Sequence, residues 1–189
     1  MASQTCQGPR LASALVVIAL AVYAPICDAQ SESDTDKGLR QLILDQARAM
    51  GDATLKGDFE ALVDRLYPKV LETLGGRDKA LQTMRETLKL MKAKGIEFKD
   101  YQFGEPGKIA RGKLHLFSVV PETVVLSVPE GTLTQRSFLL AIRDNAGKDW
   151  FFLDGGTQPT DAIKQFVPDL PEDLKLPPRQ KPVLTPKEP

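Results

Sequence analysis

Proton transfer at neutral pH calls for a side chain that titrates near neutrality, and this chain of 189 residues holds a single histidine, His115. Any Ser-His-Asp or Cys-His arrangement must therefore run through it. His115 stands in Leu114-His115-Leu116-Phe117, a strand-like run in which period two places it on the face shared with Phe117 and Val119. On a concave face it would act as a general base or touch a ligand; on the opposite face it is a sheet residue at an outer or dimer surface. The two cysteines, Cys6 and Cys27, both lie near the amino terminus, and no His-rich or His-carboxylate cluster occurs. The sequence accordingly offers no metal site and no cofactor motif.

Small-molecule sites use aromatic walls with a few polar groups, and Tyr67, Tyr101 and Trp150 are the candidates for such walls, with core packing as the competing role. Arg136 alternates with Phe138 and Leu140, so it either reaches a cavity mouth, where it would pair with an anionic ligand, or joins a cross-strand ion pair. Asp64 and Asp100 read as exposed charges, and Asp154 before Gly155-Gly156 as turn chemistry. Gly75-Gly76-Arg77-Asp78-Lys79 precedes a helix but lacks the spacing of a phosphate loop, so it reads as a helix entry.

The elements that must position these residues come in a definite order. Apolar residues recur at helical spacing from about 36 to 94: Leu39, Leu42, Ile43, Ala47 and Met50, then Phe59, Leu62, Val63 and Leu66 behind an Asp58 cap, then Leu81, Met84, Leu88 and Met91. Pro68 ends the second helix, Lys69 to Gly76 reads equally as a short strand or a helical turn, and Gly95 is a left-handed stop for the third. Four strand-like runs follow from 96 to 154. Alternation slips between Phe98 and Tyr101, which predicts a bulge near Lys99-Asp100. Lys113 to Val128 contains Pro121, so it is either one bent strand or two segments. Helices followed by antiparallel strands predict an α+β domain with its helices on one face of the sheet.

At the amino end, Arg10 precedes the apolar run Leu11 to Ala24, and Cys27-Asp28-Ala29 gives a small-x-small cleavage site before Gln30. Residues 1 to 29 thus read as a signal peptide for secretion or the periplasm. The run is shorter than the ~20 apolar residues of a membrane span, and Ile26 makes lipid attachment at Cys27 the lesser alternative. Residues 30 to 36 read as a flexible linker, with Asp34, Thr35 or Asp36 available to cap the first helix, and 37 to 167 as one domain. Seven prolines among residues 168 to 189 predict an extended, disordered tail. Lys plus Arg and Asp plus Glu balance at 25 each, which argues against nucleic acid as the main partner.

Leu55-Lys56-Gly57-Asp58-Phe59 between two helices, the Tyr67-Pro68 exit, Gly75-Gly76-Arg77 opening a longer helix, and a sheet ending in Trp150-Phe151-Phe152-Leu153-Asp154-Gly155 together resemble the NTF2-like (SnoaL-like) superfamily over roughly 37 to 156. The resemblance implies a cone of three N-terminal helices packed on a strongly bent antiparallel sheet of about four strands, enclosing a pocket, with homodimers formed through the sheet. Ketosteroid-isomerase-like members pair a tyrosine donor on the first helix with an acid after the second. Counted from Gly57-Asp58-Phe59, those places fall near Met50 and between Glu72 and Leu74. Methionine donates no hydrogen bond, so half of that pair is missing and Glu72 is left as a lone candidate base.

The expectation is thus a non-catalytic exported domain that binds a small, partly apolar ligand through Tyr67, Tyr101, His115, Arg136 and Trp150, or serves as a dimeric interaction module. The alternative is an isomerase, dehydratase or cyclase in which Glu72 or His115 is the base and Tyr67 or Tyr101 the donor. That alternative requires these side chains to converge on one cavity.

Overall fold

A computed structural model describes residues 28–156 and 160–187. The cleavable segment expected at the amino end lies outside the described residues but for its last two positions. Helix α1 (Asp28–Lys56) already includes residues 30 to 36, so the expected linker is helical, and Asp36 caps nothing. Its carboxylate instead accepts from Arg111 Nη2 at 2.7 Å. Ile43, Leu44, Ala47, Met50 and Ala53 form the buried stripe of α1, while Leu42 is 41% exposed and falls off it.

Asp58 caps α2 (Phe59–Val63) by accepting from the Ala61 N–H at 3.2 Å. Pro68 does not end the second helix, which already stops at Val63. It occupies the first turn of α3 (Pro68–Thr73), where a missing N–H costs nothing, and this resolves the ambiguous segment as helical. Gly76, at φ +92°, leads into α4 (Arg77–Ala93), and Gly95, at φ +70°, ends it as expected.

Among the described residues the sheet is antiparallel and has six strands rather than four. Strands β1 (Glu97–Phe103), β3 (His115–Val128), β4 (Gly131–Asp144) and β5 (Phe151–Asp154) neighbour one another in that order, while β2 (Ala110–Arg111) pairs β3 and β6 (Val183–Pro186) pairs β4. The register of β1 shifts between Phe98 and Asp100, where the alternation slips in the sequence. Strand β3 runs unbroken through Pro121. The Pro121 carbonyl accepts from Gly104 N–H on the β1 side, just where β1 has ended, so the absent proline N–H faces a gap in the ladder.

Both faces of this sheet are covered. Leu116 and Val120 of β3, Leu139 and Ala141 of β4 and Phe152 of β5 pack with Trp150 against the α1 stripe. On the opposite face, Phe117, Phe138, Leu140, Ile142 and Leu153 meet Tyr67 and the carboxyl-terminal segment. That segment contains α5 (Thr160–Phe166), whose Ile163 is fully buried together with Val167 just beyond it, and then Leu170, Leu174 and Leu176. The expected disordered tail is therefore packed: its leucines complete the second apolar face, and its last strand pairs Val183 with Thr134 and Pro186 with Gly131. Among the described residues no helix is long and apolar enough to cross a membrane.

Candidate functional site

Period two decides which strand residues face the helices. Glu122, Val124 and Leu126 of β3 and Gln135 and Leu139 of β4 share a face with Phe152 and Asp154 of β5, and together they line one wall of a cavity of about 510 Å³. The facing wall comes from Met50 and Thr54 of α1, Phe59 and Leu62 of α2, and Met84 and Leu88 of α4. Strand β1 closes the side with three aromatic rings. Its bulge places Phe98 and Tyr101, three residues apart, on the same face, with ring centroids 5.7 Å apart, and Phe103 stacks on Tyr101 at 6.2 Å. Gly51 permits this approach, because a Cβ there would lie 2.8 Å from the Phe103 ring and 2.9 Å from Tyr101 Cβ.

Seven polar side chains line the otherwise apolar space: Thr54, Thr83 and Thr87 from the helices, and Tyr101, Glu122, Gln135 and Asp154 from the strands. Glu122 is only 7% exposed, and its Oε1 accepts from Ser137 Oγ at 2.5 Å. Burial pushes its carboxyl up to about 7 despite that hydrogen bond, and the nearby charge of Asp154 adds to the rise. Burial likewise raises the Tyr101 phenol, helped by the charges of Glu122 and Asp154, while a hydrogen bond with Thr54 opposes the shift. Asp154 Oδ1 accepts from the Gly156 N–H at 2.6 Å. The turn role expected of Asp154 is thus real, but the same carboxylate also lines the cavity.

Of the ligand-binding and catalytic candidates chosen from the sequence, Tyr67, Glu72, Tyr101, His115, Arg136 and Trp150, Tyr101 alone lines this cavity. Trp150 is fully buried in the core beneath the helices, with the Arg143 guanidinium 5.1 Å from its ring centroid. Arg136 has the opposite parity on β4 and faces a small groove beside Gln180, Lys181 and Val183 of the tail. Glu72 is exposed on α3. Tyr67 and His115 meet on the far side of the sheet, 6.2 Å apart edge to face. There His115 Nδ1 lies 2.8 Å from Asp169 Oδ1, while Asp169 Oδ2 accepts the backbone N–H groups of Leu114 and His115 at 2.9 and 3.1 Å. Burial works to raise the Asp169 carboxyl, but these hydrogen bonds and the His115 ring outweigh it and hold the group below the usual aspartate range. Burial and then the Asp169 charge raise the Tyr67 phenol. The pair fastens the carboxyl-terminal segment to the sheet.

Glu72, His115 and Tyr67 do not line the cavity that Tyr101 lines; His115 and Tyr67 meet each other on the far side of the sheet. Glu122, the most deeply placed acid of the cavity, is absent from the sequence-based set although its signal is legible: it is an acid in phase with Val120, Val124 and Leu126 in an apolar strand. Among the described residues no group of three His, Cys, Asp or Glu side chains could hold a metal ion. No family model, curated protein or solved structure matches this chain.

Proposed function

We propose that this chain is an exported NTF2-like domain that binds a small, largely apolar molecule in the cavity between its helices and its sheet. The observation that carries this is the cavity itself: about 510 Å³, walled mainly by Met, Leu and Phe side chains, with three threonine hydroxyls and Tyr101, Glu122, Gln135 and Asp154 as its polar groups. That is the usual constitution of a small-molecule site, in which apolar burial supplies affinity and sparse polar groups fix orientation. Export rests on the amino-terminal apolar run and its cleavage pattern. Pairing through the sheet, the other role implied by the family resemblance, has less support, since Ile163, Val167 and Leu170 of the same chain cover one end of the outer face.

Binding of N-phenyl-1-naphthylamine, a neutral apolar dye whose emission rises in apolar surroundings, tests the proposal. The wild-type protein should enhance and blue-shift its emission, and Val124→Trp, which fills the cavity from the sheet side, should abolish the effect while circular dichroism stays unchanged. Equal dye response in the filled variant would place binding elsewhere and end this proposal.

A further inference from the structure

We propose that the ligand of this cavity is a hydrophobic amine, bound as an ammonium ion beside Glu122 and the aromatic rings of β1. This rests on the small-molecule reading above and names the charge of the molecule. The ionisable side chains lining the cavity are Tyr101, Glu122 and Asp154, and the lining contributed by α1, α2 and α4 contains no titratable group at all. Among the described residues no lysine, arginine or histidine lines the space, so an anionic ligand would meet two carboxylates there.

Strand register places the two acids on either side of β4: Glu122 opposite Ser137 and Asp154 opposite Leu139. They are near enough that the charge of Asp154 opposes ionisation of Glu122. An ammonium ion removes this conflict, whereas a neutral ligand leaves it in place. The Glu122 carboxylate, with a single hydrogen bond from Ser137 at 2.5 Å, retains acceptor capacity for an N–H donor. The faces of Phe98, Tyr101 and Phe103 supply cation–π contact along the same wall, and the methionine, leucine and phenylalanine side chains of the helices accommodate the apolar remainder. Since burial holds the Glu122 carboxyl near pH 7, ammonium binding must displace a proton from it over part of the neutral range.

Three isosteric probes decide the matter by titration calorimetry on the purified protein: 4-phenylbutylamine, 4-phenylbutan-1-ol and 4-phenylbutyrate. At pH 8 the amine should bind at least about tenfold more tightly than the alcohol, and the carboxylate most weakly. Amine affinity should fall several-fold at pH 6, where Glu122 carries its proton, while alcohol affinity holds. Glu122→Gln should erase the difference between amine and alcohol without abolishing alcohol binding, and the pH series on the wild-type chain gives the same information without any variant. Equal affinity for amine and alcohol, or preference for the carboxylate, would overturn the ammonium assignment and leave the small-molecule pocket standing. Binding of none of the three would overturn both.

Discussion

Replacing Glu122 by glutamine should stabilise this protein above neutral pH, although the substitution removes a charge from the middle of the sheet. Burial leaves Glu122 only 7% exposed and raises its carboxyl from the ordinary 4.5 to about 7. In the unfolded chain the group ionises first, so between these values the native state binds the extra proton. Stability contributed by this group is therefore intact below about pH 4.5, declines through the interval, and is lost above about pH 7. The full displacement corresponds to about 3 kcal/mol of native-state penalty at pH 8. Glutamine has the same shape, carries no charge, and still accepts the Ser137 hydroxyl through its amide oxygen. Urea denaturation of both proteins at pH 5 and pH 8 should show the wild type losing about 2–3 kcal/mol relative to the variant between the two conditions. Identical pH dependence in the two proteins, or a Glu122 carboxyl seen by carbon NMR to titrate near 4.5, would refute the reasoning.

Asp169→Ala should free the carboxyl-terminal segment, because it removes the acceptor of two backbone N–H groups and of His115 at once; a loss of about 2–3 kcal/mol and early proteolytic cleavage between 160 and 180 are expected. The lowered Asp169 pKa also means that in the wild type this contribution is full above the ordinary aspartate range and disappears as pH falls below it, so hydrogen exchange in the tail should accelerate in acid while the β3 core stays protected. Gly155→Ala should cost roughly 1–3 kcal/mol in urea denaturation, since a Cβ there would sit 2.2 Å from the Phe138 ring in a filled core; an unchanged midpoint would contradict the close approach.

Several local features are legible without the fold because they depend on neighbouring residues alone. Asp58 caps α2, Gly95 ends α4 in the left-handed region, and the slip between Phe98 and Tyr101 is a bulge. Pro68 and Pro121 show where local rules stop. A proline can end a helix or open one, and it can sit inside a strand wherever its missing N–H meets no partner, and only the neighbours decide. The tail makes the same point. Proline content predicts disorder, yet Leu170, Leu174 and Leu176 find an apolar sheet face beside Tyr67, Ile163 and Val167, and Thr132 to Thr134 offer a strand edge to Val183 to Thr185.

By itself the sequence determined the α+β class, the order of helices before strands over residues 36 to 154, and the alternation that gives each strand two distinct faces, since these follow from periods of 3.6 and 2 within short windows. It did not determine which of the two faces meets the helices. That choice sends Arg136 and His115 to the side covered by the tail, leaves Trp150 fully enclosed in the core, and brings Tyr101, Glu122 and Asp154 from three separate strands into one cavity. Burial then gives Glu122 a titration near neutrality that no isolated glutamate has, and burial is a property of packed neighbours far away in the chain.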